Sequence, residues 1–364
     1  MQSYLKDKID FSQVQRVLVI KLQHLGDVLL TSPVFSTLKQ NHPHLEIDAL
    51  VYADTACILE GNPYISNILT IDRAWKNDTR EKIIQELHLY RRLKQRNYQL
   101  LISLTDRMRA VWLTRLLRPT FSVAPKYPHK RGKFWRNSFS HVFSQPQLPR
   151  HTVEIHLDAL RRIGLYPQEE SKRLLMPINT AADDKISNLL ESKNLQAGQY
   201  IVIHPASRWM FKSWNIQGFA EVLQALTSRN IAVVMVSGPD ISEREYVKTI
   251  LRYKPNSAID VSGQLNLPEL AALIAKASCF IGLDSVAMHI AAAVNTPCVA
   301  LFGPSSEQSW HPWQVPHRIL TSPFSCRPCG LDGCGNGKIS ECLQAIQADD
   351  VIQATLSLTM ESIT

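Results

Sequence analysis

No apolar run in this 364-residue chain approaches the roughly 20 residues needed to span a bilayer, which excludes a helical membrane-spanning class. The opening stretch Met-Gln-Ser-Tyr-Leu-Lys-Asp-Lys lacks the apolar core of a secretory signal, so a cytoplasmic location is expected. In that compartment the seven cysteines would be reduced or metal-bound rather than disulfide-paired. Tandem repeats and low-complexity tracts are missing. So is a DxD-type carboxylate pair that could hold a divalent metal, and no catalytic metal is expected. What remains is ordinary globular composition, 45% hydrophobic and 20% charged, in a length that suits one large or two ordinary domains.

Strand-like and helix-like runs alternate in both halves. Strands are expected at 16–20, 46–51, 67–71 and 100–104, with helices at 28–41, 79–96 and 109–117. The second half repeats the pattern, with strands at 200–203, 232–237, 257–260, 279–282 and 297–301 and helices at 216–228, 242–251, 267–277 and 287–294. This spacing marks parallel βαβ units, hence an α/β class with two doubly wound domains facing across a cleft. The expected division is an N-terminal domain over 1–170, a polar linker region over 171–198, a C-terminal domain over 199–346 and a terminal helix over 347–364.

The stretch from Val17 to Pro33 carries the first chemical signal. An apolar strand runs into a loop ending in Gly26-Asp27, and apolar Val28, Leu29 and Leu30 begin a helix. The loop has one glycine and the bulky His24 and Leu25, so it does not offer the backbone approach of a GxGxxG dinucleotide loop. It presents one carboxylate at a strand-to-helix crest, which suits a general base; a helix cap is the alternative.

The second half supplies a set for an anionic ligand. After the strand ending at Ile203, Ser207 offers a hydroxyl, and Lys212 and Arg208 offer cations suited to phosphate oxygens, unless the loop is an ordinary connection. After the strand ending at Gly282, Asp284 and Ser285 stand at a helix start, where free N–H groups favour a pyrophosphate. Capping explains either residue but not His289, one turn further on the same side. Gly303-Pro304-Ser305-Ser306 could close over the same site. In the loop after Ser237, Asp240 or Glu243 could take ribose hydroxyls or merely cap a helix.

Charge is uneven. Residues 1–165 hold 25 Lys and Arg against 14 Asp and Glu, so the first part stands at +11 and the remainder at −3 within a net +8. From Arg91 to Arg136 there are 13 basic residues and one acid, Asp106. Arg91, Arg92, Lys94 and Arg96 read as a solvated helix face. Arg107, Arg109, Lys126, Lys130, Arg131, Lys133 and Arg136 read together as an anion-facing surface for nucleic acid, anionic lipid or a phosphorylated glycan. Arg107 and Arg109 follow a strand and are expected near the cleft. Cys326-x2-Cys329-x4-Cys334-x7-Cys342 is a four-thiol cluster that could hold a structural zinc or remain reduced; Cys57, Cys279 and Cys298 lie in apolar runs and are expected in the core.

Taken in order, Lys21 to Gly26-Asp27, Ser207-Arg208…Lys212-Ser-Trp214, Gly238-Pro239-Asp240, Asp284-Ser285…His289 and Phe302-Gly-Pro304 resemble glycosyltransferase family 9, the bacterial heptosyltransferases of lipopolysaccharide inner-core synthesis. The cysteine tail and the Ser-Arg-Trp…Lys-Ser-Trp loop are most similar to the subgroup adding the third, side-branch heptose. The resemblance implies a GT-B fold, an ADP-heptose donor held mainly by the second domain, and inverting transfer without metal. It implies Asp27 as general base, Lys212 and Ser207 on the donor phosphates, and Asp284, Ser285 and Val286 on phosphate and heptose with His289 nearby. It further implies Glu243 or Asp240 on ribose and Leu265 lining the adenine pocket. Ala206 departs from relatives that carry a hydroxyl there. Arg107, Arg109, Lys130 and Arg131 are the expected acceptor-binding residues, since the acceptor carries phosphates and acidic sugars on a lipid at the inner membrane face. The competing readings are a UDP-sugar enzyme of the same fold and a nucleic-acid-binding protein using Tyr98, Phe121, Tyr127, Phe134 and Trp135 among the basic residues. The second of these leaves Asp27, Lys212 and the 284–289 loop unexplained, so no nucleic acid is expected.

Overall fold

The computed structural model describes residues 7–76, 79–127, 132–145, 147–335 and 337–361; Lys130 and Arg131 lie outside them. The chain divides into two units, Met1–Pro177 and Ile178–Thr364. In the first, β1 (Arg16–Ile20), β2 (Glu46–Tyr52), β3 (Asn67–Ile71), β4 (Leu100–Ser103), β5 (Phe121–Lys126) and β6 (His141–Ser144) form one sheet ordered β3-β2-β1-β4-β5-β6. Its helices are α1 (Leu25–Leu29), α2 (Ser32–Asn41), α3 (Thr79–Gln95), α4 (Met108–Leu117), α5 (Lys133–Arg136) and α6 (Thr152–Arg162). The second unit begins with α7 (Thr180–Ser192) and places β7 (Tyr200–His204), β8 (Ala232–Met235), β9 (Ile259–Asp260), β10 (Cys279–Leu283), β11 (Cys298–Leu301) and β12 (His317–Leu320) in the order β12-β11-β10-β7-β8-β9. Its other helices are α8 (Ile216–Thr227), α9 (Ile241–Tyr253), α10 (Leu267–Ala275), α11 (Val286–Ala293), α12 (Glu307–Trp310), α13 (Glu341–Gln344) and α14 (Ala348–Glu361).

All these pairings are parallel. The central strands are therefore covered on both faces and read as nearly continuous Val, Ile and Leu, as in Val17–Ile20 and Tyr200–Ile203, which are buried throughout. Counted from its own first strand, each sheet has the order 3-2-1-4-5-6. The winding reverses between β1 and β4 in one unit and between β7 and β10 in the other, and a ligand crevice belongs at the carboxyl ends of those strands.

Sequence expectation and structure differ in informative places. The helix expected over 28–41 is two helices. Pro33 has no N–H to carry the ladder back to Leu29 and sits instead in the first turn of α2. Strands β5, β6 and β12 and helix α6 had not been expected. In β5, Pro125 argues against a central strand, but β4 pairs only with Phe121–Val123, so Pro125 lies past the end of β4 with β6 as its neighbour. The unit boundary falls inside 171–198, yet most of that segment is no linker: α7 packs on α10 of the second unit. The terminal helix α14 likewise supplies Val351, Ile352, Ala354 and Leu358 to the second unit's core. No helix among the described residues is long and apolar enough to cross a membrane.

One charged group is buried for structural reasons. Asp48 on β2 is fully buried and accepts from Arg96 Nε at 2.8 Å, Tyr98 Oη at 2.6 Å and Asn67 Nδ2 at 2.9 Å. Arg96 also bonds Glu46 at 2.7 Å, so it is not part of a solvated face but ties the end of α3 to the sheet. Replacing Asp48 with Ala strands a half-buried guanidinium and a buried phenol. Urea unfolding of the first unit should show a loss of about 3–5 kcal/mol.

Candidate functional site

In the first unit the site grows from the end of β1. The chain leaves the sheet at Lys21, whose N–H donates to Leu50 O at 3.0 Å, and turns into α1 with Asp27 in its first turn. Asp27 does not cap that helix: the cap position is His24, and no side-chain cap bond forms there. Its carboxylate, about one-fifth exposed, faces Lys21 Nζ at 3.4 Å. Lys21 is only 4% exposed, so its ammonium needs partners. The second partner is His156 Nε2 on α6, 3.0 Å away.

The break between α1 and α2 makes this possible. Val34 N–H bonds Thr31 O at 2.9 Å and leaves Leu30 O open, and His156 Nδ1 donates to that carbonyl at 3.0 Å. A carbonyl only accepts and an ammonium only donates, so His156 is the neutral Nδ1–H tautomer with Nε2 turned to Lys21. Burial, then the Lys21 charge, holds its pKa well below the usual imidazole range. Burial also lowers the pKa of Lys21, while Asp27 and Asp106 oppose that shift. Tyr127, just past β5, has its pKa pushed up by burial and by the charges of Asp106 and Asp27. The ends of β1, β4 and β5 therefore gather Asp27, Lys21, Asp106 and Tyr127 beside the switch point. Sequence reasoning missed His156. Its signal was a lone polar residue on the apolar stripe Val153, His156, Leu157 and Leu160 of an amphipathic helix.

In the second unit, β7 and β10 are neighbours, and their ends bring Lys212 and Asp284 together with Nζ to Oδ2 at 2.6 Å. Ser207 is buried, Arg208 exposed, and Ala206 fully buried. The N-cap of α11 is Ser285, one residue later than Asp284, with no side-chain cap bond. Ser285 Oγ is buried with no hydrogen-bond partner, so a hydroxyl and the uncapped first turn from Val286 point at the same place. His289 is buried one turn on, with the Trp310 ring 6.3 Å away.

The 205–215 loop is held from behind by distant residues. Trp214 Nε1 donates to Ile346 O at 3.1 Å, Gln344 Nε2 to Ser213 O at 2.9 Å, and Ser340 Oγ to Phe211 O at 2.6 Å. Gly218 is required here, because a Cβ would stand 2.4 Å from the Trp214 ring. In the loop after β8, Asp240 caps α9 through Ser242 N–H at 2.9 Å, and the Ser242 hydroxyl bond leads the lowering of its pKa. Glu243 is buried, accepts Gly238 N–H at 3.0 Å and has its pKa raised by that burial. The charge of Arg208 reaches both acids. Leu265, half-buried, precedes Asn266, the N-cap of α10.

Other expected residues have found structural work. Arg109 pairs with Glu86 on α3, so its charge is already engaged, whereas Arg107 is exposed. Cys326 and Cys329 are exposed, Cys334 is half-buried and Cys342 buried. The other three thiols lie near enough to help burial raise the Cys342 pKa, after Arg327 opposes it. Among the described residues no three His, Cys, Asp or Glu side chains converge as a metal-ligand set. Cys279 and Cys298 are core residues as expected; Cys57 is only half-buried.

Each of the two doubly wound units thus carries charged and polar side chains at its own switch point. The model of glycosyltransferase family 9 (heptosyltransferase) matches residues 87–340. The chain is similar to lipopolysaccharide heptosyltransferase 3 of Escherichia coli, 38% identical over 290 residues, covering 79% of this chain and 83% of the relative. Against the like-named protein of Escherichia coli strain K12 it is 35% identical over 345 residues, 93% of this chain and 97% of the other. The solved family 9 glycosyltransferase of Veillonella parvula shares the fold at a TM-score of 0.81 and 22% identity, over 95% of this chain and 97% of that one. An Escherichia coli heptosyltransferase solved with ADP does so at 0.72 and 18%, over 94% and 100%. The chain is a glycosyltransferase and belongs to family 9.

The neutral, buried histidines set a pH dependence. A folded pKa depressed below the unfolded value means that stability is fully present above about pH 6.5 and is lost as pH falls, because the unfolded chain binds the proton first. His156 and His204, the latter pushed down to about 4 by burial, both act this way. Melting temperature should drop from pH 7.5 to 5. His156→Phe should start lower and fall less steeply over the same range.

Proposed function

We propose that the protein transfers a heptose from ADP-L-glycero-D-manno-heptose to the phosphorylated inner core of lipopolysaccharide, as the side-branch heptose, with inversion and without a catalytic metal. The likeness to heptosyltransferase 3 along most of the chain supports the substrate class. Two observations, one within each unit, support the reaction: the Asp27 carboxylate beside Lys21, and the Lys212–Asp284 pair beside the partnerless hydroxyl of Ser285.

The chemistry then divides by unit. The acceptor hydroxyl attacks the anomeric carbon as Asp27 takes its proton, and the bond from that carbon to the diphosphate oxygen breaks. A positioned base contributes about 10²–10⁴-fold to such a step. Lys21, fixed by His156, holds the Asp27 carboxylate in place. ADP leaves as an anion, and Lys212, Ser207, Ser285 and the α11 N–H groups at Val286 stabilise the charge that grows on it. Asp284, now on Lys212, shares that cation with the phosphates and faces the sugar, with His289 beside it. Glu243 or Asp240 would meet the ribose and Leu265 the adenine. Arg107, with Lys130 and Arg131, would face acceptor phosphates, while Arg109 stays on Glu86. The enzyme would work in the cytoplasm at the inner membrane surface, where the lipid-linked acceptor lies. The cysteine loop would act, if it gathers zinc, as a structural clip remote from the reaction.

Calorimetry and transfer assays test this reading. ADP should bind and UDP should not; the reverse result assigns the fold to a UDP-sugar. Asp27→Asn should cut turnover by at least about 10²-fold with ADP affinity unchanged, while Lys212→Ala should weaken ADP by about 1–3 kcal/mol. An undiminished rate in the first variant or undiminished affinity in the second removes the corresponding role. Transfer should persist in EDTA, and its abolition would overturn the metal-free mechanism.

A further inference from the structure

Helices α3 and α4 leave a large apolar surface uncovered. Ile83 and Leu87 stand one turn apart on α3, and Trp112 and Leu116 one turn apart on α4, with Ile83, Trp112 and Leu116 each more than half exposed at 56%, 55% and 53%. Between them runs a groove of about 620 Å³, closed below by Leu113 and Tyr90. Phe134 on α5 extends it, with its ring 5.2 Å from that of Trp112. Exposed patches of this kind mark a binding surface rather than ordinary surface hydrophobics.

The charges around it point to one occupant. Arg115 lies over the Phe134 ring at 4.3 Å and Lys94 over the Tyr90 ring at 5.6 Å, so aliphatic stems extend the apolar surface while the charged heads stand at its rim. Arg91, Arg92, Arg118, Lys133 and Arg136 are exposed. The acid inside the groove, Glu86, is neutralised by Arg109. Aliphatic side chains at the centre, aromatic rings beside them and Lys and Arg outside are the arrangement that enters the headgroup layer of an anionic bilayer. A nucleic acid would answer the charges but give Ile83, Leu87 and Leu116 nothing apolar to enter.

We propose that the α3–α4–α5 face seats the protein on an anionic phospholipid bilayer. The assignment rests on the reading above that the acceptor is lipid-linked, and it names the surface that reaches the lipid. Co-sedimentation of the full chain with vesicles of phosphatidylcholine, with and without phosphatidylglycerol, tests it. The protein should bind only the anionic vesicles. Trp112→Ser with Leu116→Ser, and separately Ile83→Ser with Leu87→Ser, should each weaken partitioning by about tenfold or more at unchanged melting temperature. Vesicle binding by both variants at the wild-type level overturns the assignment. So does a wild type that ignores anionic vesicles, or one that is a dimer dispersed by the same substitutions, which would give the face to a second copy. Heptose transfer to a deacylated, water-soluble core acceptor reports on the enzymatic reading separately. It should be unchanged in both variants, and its failure in the wild type sinks that reading without touching vesicle binding.

Discussion

The site in the first unit depends on the burial of one ammonium. Lys21 leaves the sheet at the end of β1 and stands almost out of solvent between Asp27 and His156. A charge in that position must be matched on every side, so its neighbours are held as firmly as it is. The requirement reaches back to a single proline. Pro33 ends one helix and begins another, the break releases the carbonyl of Leu30, and that carbonyl selects the histidine tautomer able to accept from lysine. Asp27 is thus aimed by its surroundings rather than by its own helix.

The two units use one strand order for different surroundings at the crevice. At β1/β4 the crest carries carboxylates, Asp27 and Asp106, around a buried lysine. At β7/β10 it carries Lys212 paired with Asp284, a serine hydroxyl lacking a bond and an uncapped helix start. In the proposed reaction, proton removal would use the first environment and the departing diphosphate the second. Duplicating one architecture and altering a few loop residues supplies both, because the loops lie outside the strands that set the fold.

Much of this was legible beforehand because its causes are local. Continuous Val, Ile and Leu runs place β1, β2, β7 and β10. The residues that follow those strands, Asp27, Lys212, Asp284 and Ser285, fall at the crevice by topology alone. What escaped was set by tertiary context. Short strands such as β6 and β12 carry too few residues for a pattern, and β5 was hidden by Pro125, whose tolerance depends on how far β4 reaches. The polar 180–192 segment reads as a linker until α10 is seen to cover its apolar side. His156 and the Asp48–Arg96 pair join residues separated by 135 and 48 positions, a distance at which one sequence offers no signal.

The clamp behind the 205–215 loop also bears on how the protein is made. Backbone and side chains of Ser340, Gln344 and Ile346 hold a segment that left the sheet near residue 204, and β10 must arrive before β7 has its central neighbour. On the ribosome the N-terminal unit can close on itself while the remainder is still being synthesised, since its sheet is complete by Ser144. The second unit has no such early stage. The loop around Lys212 stays without its support until Ser340, Gln344 and Ile346 emerge, so a nascent chain completes the surroundings of Asp27 long before those of Lys212.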